Sequence, residues 1–188
     1  YRYPRSPEDT DLVGEIMNVK SMIAKYGGRQ NIWITEIGWP THQIPEQVQG
    51  RMAVRTHVLM LSTGVVEKLF WYDFIDDGVN RGYNEDNFGI TRNPVYHGAP
   101  KASYSAYAVM ARMLTGAVYQ KKIETPANTY AFQFKASDGK KLTVAWVTTG
   151  KGSLPIKGSG AEVLDLMGNK KSGSGSTELG VDPVYIRE

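Results

Sequence analysis

Cysteine is absent from the chain, which excludes disulfides, cysteine–zinc sites and cysteine nucleophiles but leaves an exported protein possible in principle. Long apolar runs are missing too: none approaches the ~18 residues that a membrane span needs. The 22 Lys and Arg residues nearly balance 19 Asp and Glu, for a net charge of +3, and no basic stripe marks a nucleic-acid surface. The opening Tyr1-Arg2-Tyr3-Pro4 lacks the charged start and apolar core of a signal peptide, and it reads like the interior of a domain. No His-Glu-x-x-His, Gly-x-Ser-x-Gly elbow or phosphate-cradling glycine loop occurs, and there is no internal repeat. What remains is a 188-residue chain of ordinary globular composition, 41% hydrophobic. That length suits one domain, or a piece of one plus a small second.

The local pattern divides this length in two. Ser6, Pro7 and Asp9 form a helix-start box, Leu12, Ile16, Val19 and Ile23 recur at helical spacing, and Gly27-Gly28 ends the run. Residues 31–37 are short, β-branched and aromatic, as in a buried parallel strand. Pro45 opens a second helix reaching about Leu61, with Gly64 as its stop, and residues 65–72 form a second buried strand. A polar, Gly- and Asn-rich loop follows over 75–99. Pro100 then starts a third helix carrying Tyr104, Tyr107, Ala111 and Leu114, stopped by Gly116. Strands separated by helices imply a parallel sheet with right-handed crossovers. After Gly116 the period changes. Residues 130–136 and 142–148 flank Asp138-Gly139, a hairpin signal, and further strands are expected at 161–167, ended by Gly168-Asn169, and at 183–187. The Lys/Gly/Ser tract 170–176 reads as a hairpin loop. The expected organisation is therefore an α/β region over 1–116 and an antiparallel β module over 117–188.

Glu36 is the most informative residue. It stands at the carboxyl end of a strand, before Gly38-Trp39-Pro40, where active sites of parallel α/β sheets and barrels form. An ion-paired or capping glutamate accounts for the position equally well. Trp39, Trp71, Tyr72 and Phe74 gather near the two strand exits. Rings beside a carboxylate suit the C–H faces of sugars, and equally the lid of a hydrophobic core. Asp73 is either a second carboxylate for acid/base work or a hydrogen-bonding support. Asp76, Asp77, Glu85 and Asp86 match no EF-hand spacing and read as solvated turn residues. His42, His57 and His97 are scattered. No metal or organic cofactor is called for.

The segment Trp33-Ile34-Thr35-Glu36-Ile37-Gly38-Trp39-Pro40-Thr41 resembles the seventh strand of retaining glycoside hydrolases of the large (β/α)8-barrel superfamily, which includes β-xylosidases, cellulases, mannanases and exopolysaccharide hydrolases. Phe70-Trp71-Tyr72-Asp73 resembles strand eight, Tyr1-Arg2-Tyr3-Pro4 the exit of strand six, and the closing Asp182-Pro183-Val184-Tyr185-Ile186 the small sandwich that follows many such barrels. The resemblance implies the C-terminal part of a (β/α)8 barrel followed by a β-sandwich module, with Glu36 as catalytic nucleophile. It further implies Trp71 as the floor of the sugar subsite, Trp39 lining the cleft and Tyr1 donating to Glu36. The implied partner is an oligo- or polysaccharide, in an extracellular or periplasmic setting. The family's Asn-Glu acid/base pair has no counterpart, so strands one to five are expected upstream or on another chain. A non-catalytic carbohydrate-binding or structural fragment is the alternative.

Overall fold

The computed structural model describes residues 3–157, 160–172 and 175–188. It divides into two compact units, Tyr1–Tyr104 and Ser105–Glu188.

In the first unit the Ser6 box does not start the long helix. Ser6 Oγ donates to Asp9 Oδ2 at 2.6 Å, and a 3-10 turn covers Glu8–Thr10. Asp11 then turns through the left-handed region at φ 50°, and helix α1 occupies Leu12–Lys25. Its end follows expectation: Gly27, at φ 79°, donates to Ala24 O, and Gly28 donates to Ile23 O. Strand β1 is Ile32–Ile37, helix α2 is Glu46–Ser62 and strand β2 is Val66–Trp71. The two strands pair in parallel, as the alternating pattern predicts.

One expectation fails. Neither strand is buried on both faces, because together they make a sheet of only two strands. Trp33 is 52% and Phe70 49% exposed, with their rings 6.5 Å apart and the Lys68 ammonium over the Trp33 ring. No residue of α1 is buried either. By contrast, α2 packs against β2 and buries Met52, Val54, Val58 and Met60.

The segment after β2 is no plain polar loop. It contains 3-10 turns at Glu85–Asn87 and Pro94–Tyr96, and it buries Phe88 and Ile90. Helix α3, Ala102–Leu114, follows.

The second unit is antiparallel. Strands β3 (Val118–Lys122), β4 (Thr129–Lys135), β5 (Lys141–Val147), β6 (Gly152–Pro155), β7 (Glu162–Leu164), β8 (Lys170–Lys171), β9 (Ser176–Leu179) and β10 (Val184–Arg187) form two sheets, ordered β3-β4-β5-β10-β7-β8 and β6-β9. Ala131, Ala145, Val163 and Ile186 of the larger sheet share one core with Leu154 and Leu179 of the smaller, which makes a sandwich.

The Asp138-Gly139 hairpin lies where the sequence put it. Gly139 sits at φ 85°, and Lys140 N donates to Asp138 Oδ1. Two local expectations differ. Gly168-Asn169 does not end a strand but belongs to the β7–β8 turn, where Asp165 Oδ1 accepts from Met167 N and Asn169 N. The expected hairpin loop over 170–176, of which residues 173 and 174 lie outside the described residues, is not flanked by a strand pair, since β8 pairs with β7 and β9 with β6.

Candidate active site

The carboxyl ends of β1 and β2 carry the candidate residues. The β1–β2 register shifts between Ile34 and Ile37, which places an extra residue in β1 beside Thr35 and Glu36. Such a bulge re-aims side chains and recurs next to active sites. Glu36 is exposed, at the mouth of a cavity of about 210 Å³ lined also by Thr10, Leu12, Ile34 and Trp39.

Trp39 is 2% exposed, and its Nε1 donates to Arg5 O at 2.8 Å. Its ring stacks on Trp71, with centroids 5.9 Å apart and planes 13° off parallel. Trp71 in turn lies 6.3 Å from the His57 ring of α2, so it faces the helix layer. Burial pulls the His57 imidazole down to about 4, against the bond its ring makes to Ala53 O. At neutral pH it is therefore uncharged. Glu36 and Trp39 thus share a cavity, and Trp71 reaches it through Trp39. Tyr1 lies outside the described residues.

Strand alternation puts Tyr72 on the side of Phe70, opposite to Trp71. Its ring meets Phe88 edge-on at 5.2 Å, and its hydroxyl donates to Asp77 Oδ2 at 2.9 Å. That hydrogen bond foremost, then burial and the charges of Asp77, Asp73 and Glu85, push the phenol up to about 12, so it stays a donor. The Tyr72–Asp73 peptide is cis. Burial raises the Asp73 carboxyl, whose Oδ1 accepts from Ile75 N at 2.8 Å, the geometry of a support within its own turn.

Two buried groups that sequence reasoning missed hold these loops. Gln49 Nε2 donates to Trp39 O and Phe88 O, both at 2.9 Å, and its Oε1 accepts from Ser103 Oγ. The Lys101 ammonium meets Asp76 Oδ1 at 2.6 Å and Thr41 Oγ1 at 3.0 Å. Burial pushes Asp76 up and Lys101 down, and the charge of each opposes the shift of the other. A glutamine on a helix and a lysine before one carry no sequence signal for such roles. Asp76 is therefore half of a buried pair, whereas Asp77 is exposed and Glu85 and Asp86 are half-buried, with Asp86 Oδ2 accepting from Asn80 N. Among the described residues, no cluster of His, Asp or Glu is placed to hold a metal ion, and no helix is long and apolar enough to cross a membrane.

No family model and no curated protein matches the chain. Solved structures do. A family 39 glycoside hydrolase from the gut symbiont Bacteroides cellulosilyticus WH2 superposes with a TM-score of 0.77 at 24% identity, over 92% of this chain and 37% of that one. The catalytic domain of GH30 xylanase C from Talaromyces cellulolyticus matches at a TM-score of 0.55 and 17% identity, over 84% of this chain and 40% of that one. An endo-β1,6-glucanase gives 0.58 and 14%, over 100% of this chain and 39% of the other. The chain thus spans about 37–40% of the length of these structures. What it shares with these glycoside hydrolases is their fold: part of a (β/α)8 barrel followed by an antiparallel β-sandwich.

Proposed function

We propose that this chain supplies the nucleophile half of a retaining β-glycosidase site. The observation that carries the reading is Glu36: an exposed carboxylate next to a bulge at the carboxyl end of a barrel strand, at a cavity that it shares with Trp39. Carboxyl ends of strands are where barrels do chemistry. A Glu36 oxygen attacks the anomeric carbon, the bond from that carbon to the leaving oxygen breaks, and a glycosyl-enzyme forms. A second carboxyl group, about 5–5.5 Å away across the bond, protonates the leaving oxygen and then takes a proton from the water that releases the sugar. That group comes from outside these 188 residues, as do the strands that would cover Trp33 and Phe70. In this reading the stacked Trp39–Trp71 pair walls the sugar subsite, and Tyr1 donates to Glu36. The substrate is a β-linked oligo- or polysaccharide, met outside the cytoplasm.

The test is Glu36→Gln in the complete enzyme. The amide is nearly isosteric but a poor nucleophile, so turnover should vanish even on glycosides with activated leaving groups, which need little protonation. Near-normal turnover, or product of inverted anomeric configuration, overturns the assignment. A carbohydrate-binding fragment without chemistry would bind glycan equally well in both forms and hydrolyse it in neither.

A further inference from the structure

The net charge of the chain is unevenly placed. Ser105–Glu188 carries 11 Lys and Arg against 7 Asp and Glu, while Tyr1–Tyr104 carries 11 against 12. The surplus therefore belongs to the sandwich unit, and part of it converges on one groove. This groove, of about 490 Å³, is lined by Lys121 and Lys122 of β3, Lys141 of β5, and Lys157. Glu188, one of two acidic residues in the lining, is already engaged: it pairs with the Lys141 ammonium and accepts from the Lys157 backbone N–H. Lys122 lies over the Tyr130 ring at 5.1 Å. Among the described residues, none of the ammonium groups of Lys121, Lys122 and Lys157 has a carboxylate partner.

The lining also carries Gln133 and Thr143, which face each other across the β4–β5 ladder. Half-buried Gln133 offers an amide of the kind that bonds sugar hydroxyls, whereas Thr143, Leu154 and Ile186 are buried and form the floor of the groove. We propose that this groove binds an anionic polysaccharide, with its lysines pairing to acidic groups on successive sugars and the Gln133 amide meeting a hydroxyl. A repeating polyanion exploits several weak contacts at once. Nucleic acid fits less well, because the lining contains no aromatic residue for bases to stack on. The site shares no residue with the Glu36 reading and stands or falls separately from it.

The test uses the 188-residue chain and four probes: polygalacturonate, dextran sulfate, neutral dextran and single-stranded DNA. Binding is followed by affinity electrophoresis between roughly 50 and 500 mM salt. Each exposed lysine contact is worth about two- to five-fold in affinity, and reversing a charge adds repulsion. The Lys121→Glu/Lys157→Glu variant should therefore bind polygalacturonate about ten-fold more weakly or worse. Lys135→Glu/Lys140→Glu makes the same charge change outside the groove and should bind nearly as the parent does, and so should Glu36→Gln. Circular dichroism checks that each variant is folded. Retention by dextran sulfate alone, with the same sensitivity to the groove variant, supports the anionic groove and assigns sulfate as the group it reads. Equal losses in both lysine variants, retention by neutral dextran, tighter binding to DNA, or no retention by either anionic glycan overturns the proposal.

Discussion

Gly38→Ala tests how the candidate site is held together. Gly38 follows β1 directly, two residues beyond Glu36. The ladder between the strands continues past their ends here, with Tyr72 N donating to Ile37 O at 2.9 Å. An alanine Cβ at this position would lie 1.8 Å from Tyr72 O, 2.9 Å from its carbonyl carbon and 3.0 Å from Phe88 Cδ1. An ordinary carbon–oxygen contact is about 3.3 Å, so the two backbones must separate by more than about 1 Å. The obstacle is main chain, which does not swing aside as the tip of a side chain would. Overpacking of this kind costs about 1–3 kcal/mol, and losing the ladder bond adds about 1 kcal/mol. The sum, roughly 2–4 kcal/mol, should lower the melting temperature by about 5–15 °C. Under the proposed role of Glu36, displacing it by about 1 Å is worth on the order of 100-fold in rate, so kcat/KM of the complete enzyme should fall by about that factor. Thermal melts and initial rates measure both effects. Gly180→Ala is the control, since its Cβ would meet nothing within 4 Å. If Gly38→Ala melts and turns over like that control, the strand exits are not pinned by backbone contact and the argument fails.

Three further outcomes follow from the buried polar groups. Lys101→Met strands the Asp76 carboxylate and should lower unfolding stability in urea by about 3–5 kcal/mol, with part of the loss recovered by Lys101→Met/Asp76→Asn. Gln49→Leu removes the partner of Ser103 Oγ and the side-chain donor to Trp39 O, while Phe88 O keeps its bond from Asp73 N, and it should cost roughly 1–3 kcal/mol by the same measurement. His57 binds its proton more weakly folded, at about 4, than unfolded, at 6.5, so its stabilisation is complete above about pH 6.5. That stabilisation, about 3 kcal/mol at most, is lost as pH falls toward 4. Urea midpoints taken across this range should fall less steeply in His57→Gln than in the parent protein.

The alternation of helix and strand was legible because glycine and proline punctuate it. Gly27, Gly64 and Gly116 all take positive φ at helix ends, and only glycine does so without steric cost. The parallel pairing of β1 with β2 and the Asp138-Gly139 hairpin follow from pattern alone. Expectation failed where neighbours distant in sequence decide the outcome. Apolar residues in 31–37 predict burial, yet burial depends on how many strands are present, and here Trp33 and Phe70 stay exposed. Strands β3, β6, β8 and β9 were missed. The polar tail of β3, Gln120-Lys121-Lys122, and the Gly152-Ser153 start of β6 give no alternation, and their pairing partners hold them in the sheets.

Side-chain direction at the site shows the same limit more sharply. Counting by twos along β1 from Ile34 puts Glu36 on the side of Ile34, toward Leu12 and Ile16 of α1. There an unpaired carboxylate would be costly. The register shift falls beside Thr35 and Glu36, and Glu36 lines the cavity with Leu12, Ile16 and Ile34 while staying exposed at its mouth. No residue in Thr35-Glu36-Ile37 announces a bulge, since there is no glycine or proline among them. In β2 no irregularity intervenes between Leu69 and Trp71, and the period holds: Trp71 turns to His57 in the helix layer, while Phe70 and Tyr72 take the other side. Proximity in sequence thus identified which residues cluster at the strand ends, and the ladder decides which of them face one another. A sugar at Glu36 would on this geometry meet Trp39 from the cavity wall, with Trp71 reinforcing that wall from behind. Trp71→Ala should accordingly act through the position of Trp39, lowering stability along with sugar binding, whereas loss of a ring that met the sugar directly would weaken binding and leave stability nearly unchanged.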